Sequence, residues 1–218
     1  MSKLYSAFEK LSEEKRLLII NVCVQEFAQN GYEKTSTDII TTKAGISKGI
    51  LFHYFKNKKN LYLYIVDYVV KFLTEKTLQT VKEVKSTDFF DRIKELVLLK
   101  HHVTFEYFLE SQLLMNVYSN PPIAVKAEVE QLFAKHIEKY GGAEINELYK
   151  TRLLNEESLR DGITVEKITN MTLLILEQLV NKYINLYKIG QFDFLKNPEP
   201  LIKELDDYID IIKNGVYK

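Results

Sequence analysis

The sequence predicts an all-α chain of about nine helices, with a small N-terminal helix-turn-helix head followed by a larger helical body. Three observations carry this. Breakers are scarce, with 8 Gly and 4 Pro in 218 residues, and most of them stand where one helix would give way to the next. Apolar residues recur three and four positions apart over long stretches. No segment alternates with period two, and no internal repeat is visible.

The first helix is expected over about Ser12–Asn30. Ser12 stands at its N-cap, Glu13 and Glu14 favour the positive end of the helix dipole, and Gly31 supplies a left-handed stop. Leu17, Ile20, Val24 and Phe27 form its inward stripe, and Cys23 beside them is expected to be a small core residue. Two short helices follow. Thr35, Ser36 or Thr37 caps the first, to about Lys43, Ala44-Gly45-Ile46 makes the turn, and Ser47 caps the second, to about His53. Asn57 then caps a long helix from Lys58 to about Val84, with Leu61, Ile65, Tyr68, Val69 and Phe72 on its apolar side.

Ser86-Thr87-Asp88 breaks that helix and caps the next, expected to run unbroken to about Tyr118. Its apolar residues, Leu96 to Leu99, Val103, Phe105, Phe108, Leu109, Leu113 and Leu114, lie nearly all round, so it is expected to be buried. Asn120-Pro121-Pro122 stops it, and Pro122 suits the first turn of a helix ending near Tyr140-Gly141-Gly142. Further helices are expected over about Glu144–Asn155, over Thr164–Ile189 with Gly190 as its stop, and from Pro198-Glu199-Pro200 to the C-terminus. The last carries a stripe of Leu201, Leu205, Tyr208, Ile209 and Ile212.

Composition limits the function classes. A hydrophobic fraction of 46% and a charged fraction of 28% are ordinary for a globular chain. The lone Cys23 excludes an internal disulfide and a cysteine zinc cluster, which suits a reducing cytoplasm. No stretch approaches about 18 consecutive apolar residues, so no membrane partner is expected. The first 30 residues do not resemble a signal peptide, and a cytoplasmic location is expected. Net charge is +0, but residues 1–60 carry 10 Lys and Arg against 6 Asp and Glu, and the remainder 20 against 24. Lys34, Lys43, Lys48, Lys56, Lys58 and Lys59 supply most of the excess, opposed by Glu33 and Asp38. A basic head on an acidic body suits a polyanionic partner at one end, although a solvated face would look similar.

The run Ser36-Thr37-Asp38-Ile39-Ile40-Thr41-Thr42-Lys43-Ala44-Gly45-Ile46-Ser47-Lys48-Gly49-Ile50-Leu51-Phe52-His53-Tyr54-Phe55-Lys56-Asn57-Lys58 resembles the DNA-binding signature of the tetracycline-repressor family. The likeness spans about residues 10–62. It implies a helix-turn-helix domain over 1–57 and a ligand-binding and dimerisation domain over 58–218. Two residues depart from the signature: Thr41 replaces a usual alanine and needs a local partner for its hydroxyl, and Phe52 replaces a frequent tyrosine and removes a phosphate contact.

The chemistry of the run agrees with the resemblance. A recognition helix presents its N-terminal residues to base edges in the major groove. Lys48 suits guanine O6 or N7, Gly49 lets backbone approach closely, and Ile50 suits a thymine methyl. Thr37, Ser47, His53, Tyr54 and Lys58 stand where phosphate contacts would position the head without reading sequence. Phe55 is expected to be core.

The resemblance further implies a homodimer through the last two long helices. Ile168, Met171, Ile175, Leu179 and Ile184, with Leu205, Tyr208, Ile209 and Ile212, supply apolar surface for it, or alternatively complete the core of a single chain. It also implies an effector site within the body, for which Tyr64, Tyr68, Phe105, Phe108, Gln112, Met115 and Tyr118 are candidates. Tyrosine and glutamine among apolar walls suit a largely hydrophobic small molecule, and plain core packing accounts for each residue as well. The function expected is a ligand-responsive transcriptional regulator, a repressor released from a palindromic double-stranded operator, with no cofactor and no catalytic activity. The alternatives are a helical protein-binding module, which leaves the basic run unexplained, and a metal-binding helical enzyme. For the latter, His101-His102 with Glu106 is the one suggestive spacing, and phosphate-loop and hydrolase motifs are lacking.

Overall fold

Ten α-helices and no strand occur among the residues described by the structure, a computed structural model covering residues 5–140 and 151–216. They are α1 (Ser6–Glu9), α2 (Glu13–Lys34), α3 (Thr37–Ala44), α4 (Lys48–Phe55), α5 (Lys58–Val81), α6 (Phe89–Glu106), α7 (Phe108–Ser119), α8 (Lys126–Tyr140), α9 (Val165–Lys188) and α10 (Glu199–Val216). The fold is all-α, as the sequence predicts. Most of the expected helix at Glu144–Asn155 lies outside the described residues, and Thr151–Leu153 forms one 3-10 turn.

Chain ends are set where the turn chemistry demands. Gly45 closes α3 with a φ of 65°, and Gly31, with φ 69° and ψ 173°, breaks the helical conformation inside α2 short of its end at Lys34; a side chain would make either conformation costly. The Ser36 hydroxyl accepts from the Asp38 amide, the Ser47 hydroxyl from the Ile50 amide, and the Asn57 carboxamide from the Asn60 amide at 2.8 Å. Asp88 caps α6, its Oδ1 accepting from the Phe90 and Asp91 amides. Thr164 caps α9.

Four expectations need correction. The helix expected from Asp88 to Tyr118 is two helices, broken at Tyr107, whose φ of −108° and ψ of 56° leave the helical region. The β-branched and aromatic run Val103-Thr104-Phe105 lowers helix propensity just before that break. Nor is this stretch buried all round, for Leu98 and Phe105 are exposed. Ser12 occupies the N-cap of α2, yet its side chain makes no capping hydrogen bond. After Pro122 the chain first makes a 3-10 turn, Ile123–Val125, and only then α8.

The chain divides into two compact units: residues up to 74 with 107–134, and residues 75–106 with 135–218. In the first unit α2 lies against α3 and α7, α3 against α4, and α1 against α4. Its core is continuous from Phe8 through Ile20, Val24 and Phe27 to Leu51, Phe55, Leu61 and Ile65, and includes Val117 of α7. Asn116 ties α7 to α2 by donating to the Ala28 carbonyl at 3.1 Å. In the second unit α10 lies against α9 and α6, around Phe89, Phe90, Ile93, Leu179, Leu205 and Ile209. No described helix is long and apolar enough to cross a membrane.

Candidate nucleic-acid interface

The exposed edge of α3 and α4 is built outward from an apolar interior. On α4, Leu51 and Phe55 are fully buried, and on α3 Ile40 is fully buried and Ala44 nearly so. These residues set α3 against α2 and α4 against α3 and α1, which leaves Ser47, Lys48, Gly49, Ile50 and His53 at the surface. Thr37 and Tyr54 are half-buried. Phe8 of α1 packs edge-on to Tyr54, centroids 5.6 Å apart, so α1 braces α4 from behind. The sequence gives little warning of α1, which is only four residues long.

Thr41 is buried, and its hydroxyl donates to the Asp38 carbonyl at 2.9 Å. The local partner that this departure from the signature demands is therefore present. Phe52 is half-buried. Glu26 of α2 is 2% exposed, and its carboxylate accepts from Lys43 at 2.6 Å and from Asn30 at 3.2 Å. Buried charge of this kind is tolerated only with such partners. This strut between α2 and α3 is legible in the sequence only as two unremarkable charges 17 residues apart.

Lys48 stands at the first turn of α4 with its ammonium 2.8 Å from one Asp38 carboxylate oxygen and 3.1 Å from the other. A Cβ built on Gly49 would meet only the Ser47 hydroxyl, at 3.8 Å, so the surface there is open. Ile39 and Ile50, both near half exposed, are large apolar side chains left bare on this edge. Lys58, at the start of α5, donates to the Glu33 carbonyl at 3.1 Å and lies over the Tyr32 ring, 4.8 Å from its centroid. Partial burial holds its pKa below the usual lysine value, with Glu33 opposing.

The effector candidates are dispersed. Tyr64 belongs to the head's aromatic cluster with Tyr5, Phe8 and Phe55, and its hydroxyl donates to Glu9 at 2.6 Å. Tyr68, Phe108, Gln112 and Met115 are half-buried in the first unit, where Tyr68 stacks on Phe72 and Phe72 meets Tyr107 edge-on. Tyr118 is mostly exposed beside Phe133. Phe105 belongs to the second unit and is 64% exposed.

Among the dimerisation candidates, Ile168, Leu179, Ile184, Leu205, Ile209 and Ile212 are buried within the second unit, Ile175 is half-buried, and Met171 and Tyr208 are exposed. Leu174, Val180 and Ile211 are exposed on the same two helices. A shallow cavity of about 320 Å³ is lined there by Met171, Leu174, Ile175, Gln178, Leu179, Lys182, Glu204 and Tyr208. Within it Glu204 accepts from Lys182 and Tyr183, and the Lys182 ammonium holds its carboxyl below the usual range.

His101 is half-buried and His102 exposed, and burial followed by the neighbouring His102 pushes the His101 pKa down. Among the described residues no group of three or more His, Cys, Asp or Glu is placed to hold a metal ion.

Comparison with known proteins bears on this edge directly. A family model described as "Bacterial regulatory proteins, tetR family" matches residues 19–65, a span that contains α3, α4 and most of α2. The "Fatty acid metabolism regulator protein" of Bacillus subtilis is 27% identical over 159 residues, covering 73% of this chain and 71% of the relative. A TetR family transcriptional regulator from Chloroflexus aurantiacus shares the fold at a TM-score of 0.58, with 23% identity and 97% of each chain covered. FadR from Bacillus subtilis, solved in complex with stearoyl-CoA, superposes at a TM-score of 0.54 with 18% identity, covering 87% of this chain and 96% of that one.

Proposed function

We propose that the chain, whose residues 19–65 match the model of the tetR family of bacterial regulatory proteins, is a member of that family and a ligand-responsive repressor that binds a palindromic operator as a homodimer in the cytoplasm. The observation that carries the reading is the bare N-terminal edge of α4. There Lys48, Gly49 and Ile50 face outward while Leu51 and Phe55 fix the helix from beneath. A rigid helix end with a cation, a bare backbone and an apolar tip suits base edges in a major groove. Ser47, His53 and Lys58, with Thr37 and Tyr54 at the margin, supply phosphate contacts.

Residues 1–57 are assigned to the DNA contact and 58–218 to effector and partner. One short recognition helix reads few bases, so two heads about 34 Å apart supply the needed specificity. The exposed Met171, Leu174, Val180, Tyr208 and Ile211 of α9 and α10 are the surface that a second copy would cover. The effector is a largely apolar small molecule. The likeness to a fatty acid metabolism regulator, and to FadR with its stearoyl-CoA, supports a long-chain acyl compound. Tyr68, Phe108, Gln112 and Met115 would line its site. Binding favours a conformation in which α5 is reoriented and the heads separate, which requires that the effector prefer that conformation to the DNA-bound one.

Selection of bound fragments from a random duplex pool by the full chain tests the reading. An inverted repeat should emerge, and stearoyl-CoA added to the complex should release it. Absence of any enriched sequence would refute operator recognition. Equal affinity of the acyl compound for free and DNA-bound protein would refute the effector mechanism.

A further inference from the structure

We propose that Lys56 binds a DNA phosphate, held in place for it by a strained turn at the junction of α4 and α5. The inference rests on the DNA-binding reading and adds one residue to it. Among the described residues Lys56 is the only one besides glycine with a positive φ. Its φ is 67° and its ψ −45°, and the Asn57 amide donates across it to the Phe55 carbonyl at 2.8 Å. This is the three-residue reverse turn that side chains adopt rarely and under strain. Both flanks are pinned. Phe55 and Leu61 are buried, the Lys56 amide donates to the Phe52 carbonyl at 2.9 Å, and Asn57 caps α5. A glycine would take this turn freely, yet a lysine stands there with its side chain exposed. A local rule broken without a gain in packing points to function.

The charge at Lys56 is placed without being neutralised. Of the lysines between 43 and 59, Lys43, Lys48 and Lys59 each meet a carboxylate, of Glu26, Asp38 and Glu128. The Lys56 ammonium instead donates to the His53 carbonyl at 3.2 Å, and Lys58, already assigned to phosphate, is held in the same way by the Glu33 carbonyl. An ammonium has three donors, so two remain for a phosphate while the bond to His53 is kept. Position agrees with charge. The eight residues of α4 span about 12 Å at about 1.5 Å each, which is about the width of the major groove. With the first turn of α4 on base edges, its C-terminal end stands at the groove wall, where the phosphates run.

The test measures affinity and its salt dependence for wild type, Lys56→Gly, Lys56→Ala and Lys56→Arg, on the selected operator and on a scrambled duplex of equal length. Lys15→Gln serves as a control that removes an exposed positive charge elsewhere in the head. Lys56→Gly should melt about 2–4 °C higher as the strain is released. It should nevertheless bind both duplexes about five- to tenfold more weakly, with a log–log salt slope shallower by about 0.9. The loss should be equal on the two duplexes, because a phosphate carries no sequence. Lys56→Ala should show the same loss without the gain in stability, and Lys56→Arg should restore affinity and slope. If Lys56→Gly and Lys56→Ala keep the salt slope that Lys15→Gln shows, the proposal is overturned and only a change in net charge is left. A loss confined to the operator would also overturn it, because Lys56 would then serve base recognition rather than hold a phosphate. If wild type binds neither duplex, the DNA reading itself has failed.

Discussion

Gly45 shows how much of the head rests on single backbone positions. Its φ of 65° closes the turn between α3 and α4, and its amide reaches the Thr41 and Thr42 carbonyls. Nothing lies within 4 Å of a Cβ built there, so any cost of Gly45→Ala comes from conformation alone. That substitution should destabilise the chain by about 1–2 kcal/mol, read as a lower urea midpoint at unchanged m-value. A second outcome at this level follows from Tyr62 and Tyr64, whose hydroxyl pKa values burial raises above the ordinary 10.0, Glu9 adding to the effect at Tyr64. Below pH 10 folded and unfolded chains both keep these protons and the contribution is complete. Above it the unfolded chain releases them first, so stability falls as pH climbs toward the higher folded values. The urea midpoint should drop between pH 9 and pH 11, and Tyr64→Phe should reduce the drop. Cys23 is fully buried, with its thiol pKa pushed up by the same burial, which leaves it the inert core residue that its place on the stripe suggests.

Among the helices, what the sequence makes legible depends on how local the signal is. Caps and stops are written within four residues, and Ser36, Ser47, Asn57, Asp88 and Thr164 all accept amide hydrogen bonds at helix starts. Asn57→Ala should cost about 1 kcal/mol, lowering the melting temperature by about 2–4 °C for a chain of this size. The break at Tyr107 has no such local signature. No glycine or proline stands there, and the division coincides with the passage of the chain from one compact unit to the other, a tertiary fact. Ser12 errs the other way, for the residue type is right and the position is right, yet the hydroxyl is not used. The four-residue α1 is too short for periodicity to reveal.

For the molecule as a whole, the exposed edge of α3 and α4 was far more legible than the body. A helix-turn-helix needs particular residues at particular positions, so register alone brought Ser47, Lys48, Gly49 and Ile50 to one exposed edge. The pairing of Lys48 with Asp38 was invisible, because a charge ten residues away declares no partner. In the body, apolar residues serve core, effector site and dimer surface with the same chemistry, and spacing does not separate these uses. Burial does separate two of them. Ile168, Leu205 and Ile209 are interior to one chain, whereas Leu174, Val180 and Ile211 are left uncovered. In the proposed dimer, Leu174→Glu with Ile211→Glu should therefore shift sedimentation toward monomer with little loss of secondary structure; a wild-type chain that sediments as a monomer would refute the dimer, and an unchanged dimer would refute this surface.

The proposed function turns on the N-terminal edge of α4 entering the major groove. Guanine N7 lies in that groove, and methylation there blocks an approaching cation without altering the minor groove. Methylation interference on the selected duplex measures this directly. Guanines in each half-site should be depleted of methyl groups in the bound fraction, with half-sites centred about 10 base pairs or a multiple apart, and Lys48→Ala should abolish the depletion at one guanine per half-site. Identical methylation patterns in bound and free fractions would contradict groove entry by α4.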